Sequence, residues 1–246
     1  LPLFLTGTLG APATAVGIVE GVAEGTANLT KLFAGNWSDR AGARKPFVVA
    51  GYALAAVGKL IVGLSFAWPF ALAGRTFDRF GKGVRGAPRD ALLAEFAGEH
   101  DRGRIFGLHR SMDTAGAVVG PLVGLAILQL ADDRLRLAIL AAVVPGVLAV
   151  LVLRALPERA PEAAAANVRA RHLPRQFWLL LAVTTLFMAG NSSDAFLILR
   201  AKSLGLSATL VVLAYVVYNV VYAILSYPAG SLSDRVPRGW LLGAGY

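Results

Sequence analysis

The chain has 246 residues, 56% of them hydrophobic, and a mean hydropathy of +0.62. This apolar share exceeds that of ordinary soluble domains, so it excludes a soluble protein and predicts an integral membrane protein. The absence of cysteine excludes disulfides, metal-thiolate sites and thiol catalysis. A net charge of +9 suits a nucleic-acid partner only where the basic residues form one patch.

Apolar segments of about 20 residues, the length needed to cross a bilayer, recur along the chain. We predict the end of a first helix at 1–4, then transmembrane helices at 13–34, 47–66, 68–94, 105–131, 135–153, 176–199 and 208–230, and the opening of another at 240. Leu1 is not a start residue and the last helix stops at Tyr246. We therefore expect a fragment of a twelve-helix protein.

Basic residues concentrate in every second connection between the predicted helices. They follow the helices at 13–34 and 68–94 and recur in the segment 154–175. The positive-inside rule places such connections in the cytoplasm, and Arg200 and Lys202 are the exceptions. We therefore expect the charge to set topology in a bacterial cytoplasmic (inner) membrane, with the lipid bilayer as partner and no nucleic acid.

The segment 154–175 also divides the chain. Its three prolines and its Ala-rich, charged stretch have the composition of a linker. We predict an amino-terminal bundle at 1–153 and the start of a carboxy-terminal bundle at 176–246.

One pattern occurs twice, 195 residues apart. Gly35-Asn-Trp-Ser-Asp39-Arg40 returns as Gly230-Ser-Leu-Ser-Asp234-Arg235, and the same offset aligns Leu9-Gly10 with Leu204-Gly205. Each copy of the Asp-Arg pattern joins two apolar segments. Because many secondary transporters are built from duplicated sets of membrane helices, the repeat predicts a transporter with a six-helix period.

The first copy continues through Gly42, Arg44 and Lys45. Gly35-x-x-x-Asp39-Arg40-x-Gly42-x-Arg44-Lys45 resembles the cytoplasmic loop signature of the major facilitator superfamily. The resemblance implies that Asp39 and Arg40 help to lock a cytoplasmic gate. Ala43 departs from the family pattern, and the second copy, with Gly230, Asp234 and Arg235, is followed by Val236-Pro237-Arg238 and is weaker. A turn that only sets topology is the alternative.

Two further motifs strengthen the resemblance. Gly116-x-x-x-Gly120-Pro121-x-x-Gly124 resembles the antiporter signature that exporters of the superfamily carry in their fifth helix, with Leu125 in place of a second glycine. Its glycines share a face and permit close backbone contact, so a plain packing seam is the alternative. Arg79-x-x-x-Gly83 matches the arginine motif of the fourth helix, which the superfamily associates with proton transfer.

The resemblance covers essentially the whole chain and implies an all-α, polytopic fold of major facilitator type. It also implies alternating access driven by the proton gradient, without a cofactor, most simply as antiport that exports a small molecule. We expect a monomer. A symporter or facilitator for an organic anion is one alternative, and a truncated membrane partner without transport is another. An enzyme is not expected, because His100, His109 and His172 are scattered and no nucleophile set accompanies them.

Charged residues also fall inside the predicted membrane helices. Arg75, Arg79 and Lys82 form a stripe on the helix at 68–94, which also carries Asp78. Glu20, Glu24 and Asn28 form a stripe on the helix at 13–34, while Lys59 and Asp113 lie on the two helices at 47–66 and 105–131. Each charge costs about 2.5–3.5 kcal/mol at the bilayer centre, so we expect these groups to face one another or a water-filled cavity.

Two interpretations of these charges remain open. In the first, Glu20, Glu24, Asp78 and Asp113 neutralise Lys59, Arg75, Arg79 and Lys82 in a purely structural network. In the second, one carboxylate carries a proton while the bases hold an anionic or polar group. Asp113 is then the preferred carrier, because it adjoins the glycine motif, and Glu24 is the next.

The second half offers two polar groups. Asn191-Ser-Ser-Asp194 forms a cluster that would line the same cavity, unless Asp194 only caps a helix break. Tyr215, Tyr218, Asn219 and Tyr222 share a helix face. They predict either a wall on which a substrate stacks or ordinary packing between helices.

Overall fold

The computed structural model describes residues 1–97, 100–131, 134–156, 174–189 and 194–245. Within these ranges every regular element is helical, which confirms the predicted all-α class. A π-helical turn at Phe4–Thr8 comes first. It is followed by α1 (Ala13–Ala41), α2 (Lys45–Leu64), α3 (Trp68–Phe96), α4 (Arg102–Leu130), α5 (Leu135–Ala141), α6 (Val143–Ala155), α7 (Arg175–Ala189), α8 (Asp194–Ser203), α9 (Ala208–Ser233) and α10 (Arg238–Gly245).

Four segments are long and apolar enough to cross a membrane, namely Lys45–Leu64, Arg102–Leu130, Leu135–Ala155 and Thr209–Ser233. The helices α1 and α3 have 29 residues each and are about 43 Å long at the rise of an α-helix, so they also reach across a bilayer. Their polar stripes lower their hydropathy. The chain is therefore a multi-pass, all-α membrane protein.

Three predicted segments differ in detail from the structure or extend beyond its described residues. The helix predicted at 135–153 is confirmed as one membrane-crossing segment, Leu135–Ala155, but its helix is interrupted at Ala142 between α5 and α6. Pro145 has no N–H group to donate a hydrogen bond to the Ala141 carbonyl, which accounts for the interruption. The helix predicted at 176–199 covers α7 and the first part of α8, and it stays a prediction because residues 190–193 lie outside the described ranges. The linker at 157–173 is also outside them, so the division into two bundles stays a prediction.

In the first half, α3 packs against α1 on one side and α2 on the other. Glycines spaced by seven residues line both helices of the antiparallel α2–α3 pair. A Cβ atom at Gly58 would lie 2.7 Å from the Gly74 carbonyl oxygen, and one at Gly51 would lie 2.6 Å from the Gly81 carbonyl oxygen. Only glycine permits this backbone approach, which sets the spacing of the polar groups described below.

The sequence repeat is confirmed in the backbone. Gly10 and Gly205 both have left-handed conformations, with φ of 62° and 86°. Each precedes the long helix of its repeat, α1 from Ala13 and α9 from Ala208, and the residue before each helix is extended. The second copy packs on the first half of the chain through the contact of α9 with α4.

Candidate functional site

Opposite charges meet where α3 crosses α1 and α2. The Arg75 guanidinium donates hydrogen bonds to both carboxylate oxygens of Glu20, at 3.0 and 3.2 Å, and one to Asp78 at 3.4 Å. The Lys59 ammonium donates to the other Asp78 oxygen at 2.7 Å. Asp78 is buried, so removal of one partner would leave an uncompensated charge. These pairs connect all three helices.

A second group of charges is more open. The two bases Arg79 and Lys82 share one carboxylate, since Arg79 Nε lies 3.2 Å and Lys82 Nζ 3.6 Å from opposite oxygens of Glu24. The Glu24 and Lys82 side chains are 43% and 49% exposed. Asn28, one turn further along α1, is exposed as well. We call the seven side chains of these two groups the ion network: Glu20, Glu24, Lys59, Arg75, Asp78, Arg79 and Lys82.

The expectation that four carboxylates neutralise four bases is wrong, because Asp113 lies apart from the ion network. Its side chain is 55% exposed, and it forms an ion pair at 3.6 Å with Arg110 of its own helix. Arg110 also donates a hydrogen bond of 3.2 Å to the Tyr222 hydroxyl and lies over that ring. The physical reason is that α4 packs on α9 and makes few contacts with α3.

The second copy of the Asp-Arg pattern joins the two halves of the chain. The Asp234 carboxylate accepts hydrogen bonds from the backbone N–H groups of Gly103 at 2.7 Å and Arg104 at 2.8 Å. These N–H groups belong to the first turn of α4, where they have no partner within the helix and where the helix dipole favours an anion. A Cβ atom at Gly230 would lie 2.7 Å from Gly107 Cα, so the two backbones touch. Arg235 is exposed.

The first copy lies on the end of α1 and not in a loop, because the helix extends to Ala41 and stops at Gly42, whose φ is 59°. Asp39 pairs with Arg44 at 3.4 Å, and Arg44 also contacts Glu95 of α3. Arg40 is exposed. No pattern in the sequence points to Glu95, which lies beyond the predicted end of its helix at residue 94.

Two other residues of this copy make contacts within the first half. The Lys45 ammonium donates to the carbonyl oxygen of Arg154 at 3.2 Å and also to that of Leu156, at the end of α6. A Cβ atom at Gly35 would lie 3.5 Å from Ala87 of α3, an ordinary contact distance. Lys45 therefore anchors the end of α6, which the sequence analysis did not anticipate.

The glycine motif of α4 differs from its expectation. Cβ atoms at Gly116, Gly120 and Gly124 would meet nothing within 4 Å in the described part of the chain, so the expected backbone contact is absent there. The α4 helix instead uses Gly103 and Gly107 for contact. Pro121 and Gly124 line a cavity of about 330 Å³, which Lys59, Arg75 and Asp78 also line.

The predictions for the two polar groups of the second half can be compared with the structure only in part. Asn191-Ser-Ser lies outside the described residues, and Asp194 is the first residue of α8. Tyr215, Tyr218 and Tyr222 form a ladder with ring centroids 6.5 and 6.2 Å apart, and Tyr218 is exposed. Asn219 does not belong to that wall, because it is buried and donates to the Tyr215 carbonyl at 2.8 Å.

Comparison with known proteins also points to a membrane transporter. The sequence profile of the Major Facilitator Superfamily matches residues 1–246. An uncharacterized MFS-type transporter of Methanocaldococcus jannaschii is 32% identical over 255 residues, which cover 100% of this chain and 64% of that protein. An uncharacterized protein of Mycobacterium tuberculosis is 31% identical over 94% of this chain and 59% of its own length. The chain thus spans less than two thirds of these relatives.

A third relative matches about half of the chain. The multidrug resistance protein MdtH of Photorhabdus laumondii is 36% identical over 129 residues, 49% of this chain and 30% of that protein. Because the family profile spans the whole sequence, the chain belongs to the Major Facilitator Superfamily, a family of membrane transporters.

Proposed function

We propose that the protein is a secondary active transporter of the bacterial cytoplasmic membrane, which exports a small molecule in exchange for protons. The observation that carries this proposal is the ion network, which holds seven charged side chains between membrane helices. Such groups are costly in a membrane and usually belong to substrate or proton pathways. The name of the MdtH relative, a multidrug resistance protein, favours export over uptake.

Asp113 is the proposed proton carrier. It is exposed, and its ion pair with Arg110 is accessible at the junction of α4 and α9. Protonation would remove the negative charge that holds the Arg110 guanidinium on its own helix. Arg110 would then interact with Tyr222 of α9 alone, so protonation would bias the packing of the two halves. Glu24 is the next candidate, since it too is half-exposed.

Asp234 and Asp39 act in this proposal at the cytoplasmic gate. The Asp234 carboxylate holds the first turn of α4 against the end of α9. By the repeat, Asp39 would hold the first turn of a further helix in the same way, and Arg44 would orient Asp39. Closing and opening these contacts would alternate the access of the cavity between the two sides of the membrane.

The test uses the complete reading frame in inverted membrane vesicles, with a pH-quenched dye as candidate compounds are added. Asp113→Asn should abolish compound-dependent proton release. Asp101→Asn is a matched control, because Asp101 pairs with Arg104 at the same 3.6 Å and the same three-residue spacing and is 54% exposed. Proton release that survives in Asp113→Asn would move the carrier role to Glu24. No release by any compound, from folded and inserted protein, would contradict antiport.

One observation favours a second candidate function, the symport of an organic anion. Two bases share Glu24, so an anionic substrate at Lys82 would compete with that carboxylate. A displaced carboxylate binds a proton more readily, and proton and anion would then move in the same direction. Anion accumulation in right-side-out vesicles under an inward proton gradient would support this alternative over export.

A further inference from the structure

Lys82 is the central residue of α3, about 21 Å from either end of the helix at 1.5 Å per residue. Its side chain is nevertheless half-exposed. A lysine ammonium that faced lipid at the bilayer centre would be costly. We therefore expect the exposed side of Lys82 to face water, where it can contact a solute.

The carboxylates around Lys82 are already engaged. Glu24, its ion-pair partner at 3.6 Å, is closer to Arg79. Asp78 and Glu20, the other carboxylates of the ion network, accept from Lys59 and Arg75. Within the ion network three carboxylates therefore face four bases, and the excess charge is positive.

Hydrogen bonding shows the same imbalance. The Nε atoms of Arg75 and Arg85 are buried, and neither has a hydrogen-bond acceptor among the residues that the structure describes. The Arg79 Nε atom is also buried, and it lies 3.2 Å from a Glu24 oxygen but outside hydrogen-bond geometry. Arg85, the next base along α3, has the Tyr52 ring at 4.3 Å and the Gly51 carbonyl oxygen at 3.4 Å as its contacts. Buried donors normally have acceptors, so this region of α3 has more donors than the protein itself satisfies.

The α1 side of this region leaves room for a ligand. Cβ atoms at Gly21 and Gly25, on either side of Glu24, would meet nothing within 4 Å in the described structure. Asn28 is exposed one turn away, and its amide offers a further donor. The open side of the Glu24–Lys82 pair is therefore bordered by small and polar groups.

From this excess of positive charge and of donors we infer that the transported molecule is an organic anion. Its carboxylate, sulfonate or phosphate group binds Lys82, with Arg79 beside it, in place of the Glu24 carboxylate. The inference rests on the proposed transport function, and it assigns to export as well the anion that the symport alternative places at Lys82. A charged hydrogen bond of this kind contributes about 1.5–3 kcal/mol, so loss of the ammonium should weaken binding by about 10- to 100-fold.

The experiment measures thermal unfolding of the complete, purified protein with three probes of one shape: 1-naphthoate, 1-naphthamide and 1-naphthylmethylamine. Because ligands that bind the native state stabilise it, 1-naphthoate should raise the Tm and the neutral and cationic probes should not. Lys82→Gln should abolish this shift and Lys82→Arg should retain it. Lys31→Gln is the matched control, since Lys31 is 51% exposed and also pairs across α1 and α3, with Asp90 at 3.2 Å.

Three results would overturn the inference: no shift with 1-naphthoate, an equal or larger shift with either other probe, or an undiminished shift in Lys82→Gln. The Tm without probe reports whether each variant is folded. Binding needs no proton movement, so the two proposals fail separately. If the cationic probe stabilises the protein and proton release is normal, the anionic substrate is rejected and antiport is retained. If the anion binds but no compound releases protons, antiport is rejected and the anionic substrate is retained.

Discussion

Asp234 of α9 accepts a hydrogen bond of 2.7 Å from the backbone N–H group of Gly103 in α4. A carboxylate from the second copy of the repeat therefore caps a helix of the first half. Because the Gly103 and Gly107 backbones pass against Gly230, the cap is reached only while the two helices are in contact. The Asp234 cap and the packing of α4 on α9 therefore depend on each other, and a substitution that disrupts one should weaken the other.

Removal of the cap should loosen the first turn of α4. Asp234→Ala is expected to cost about 1 kcal/mol, a typical loss for a helix cap, and to accelerate amide hydrogen exchange in the peptide that contains Gly103 and Arg104. Asp234→Asn keeps an acceptor oxygen and should have a smaller effect. Exchange that is unchanged in Asp234→Ala would mean that these N–H groups do not depend on the carboxylate.

The contact between Gly107 and Gly230 should not tolerate a methyl group. Gly230→Ala places a Cβ atom 2.7 Å from Gly107 Cα, an overpacking that we expect to cost about 1–3 kcal/mol and to lower the Tm of the complete protein. Gly116→Ala and Gly120→Ala are the controls, because their Cβ atoms meet nothing within 4 Å in the described structure. A Tm equal to that of these controls would refute the close contact.

These two contacts also show what the sequence predicted and what it did not. The 195-residue repeat placed Asp39 and Asp234 at equivalent positions, and the helix starts of both copies follow it. Hydropathy located the helices, because a bilayer requires about 20 apolar residues regardless of their neighbours. Which helices touch is a tertiary property, and a single sequence contains no direct signal for it.

The prediction for the charged residues was limited in the same way, because it also depends on which helices are in contact. Helical periodicity correctly grouped Glu20 with Glu24 and Arg75 with Arg79, because each pair lies on one helix face. Periodicity does not decide which face meets which helix, so the sequence groups Asp113 with these charges although its helix packs elsewhere. The glycines of α2 and α3 were missed because their spacing has meaning only when both helices are placed side by side.

The α2–α3 contact gives a third prediction. Gly58→Ala would put a Cβ atom 2.7 Å from both the Gly74 carbonyl oxygen and the Asp78 Cα atom, and we expect a loss of about 1–3 kcal/mol. Gly25→Ala, on an open face of α1, should be neutral or stabilising by up to about 1 kcal/mol, as alanine favours a helix. The Tm of the two variants checks this. Equal Tm values would contradict the close packing of α2 on α3.

The ion network gives the last prediction, on Asp78. Asp78→Asn leaves Lys59 and Arg75 without the carboxylate that they share, and breaking a buried pair typically costs about 3–5 kcal/mol. Glu24→Gln should cost clearly less, because its carboxylate is half-exposed and water screens it.

A double variant separates the lost pair from a general defect. Lys59→Met in the Asp78→Asn background removes the cation left without its carboxylate, so the double variant should be more stable than Asp78→Asn alone. Thermal unfolding of the four proteins forms a complete cycle. Additive effects of the two substitutions would show that the 2.7 Å contact contributes nothing to stability.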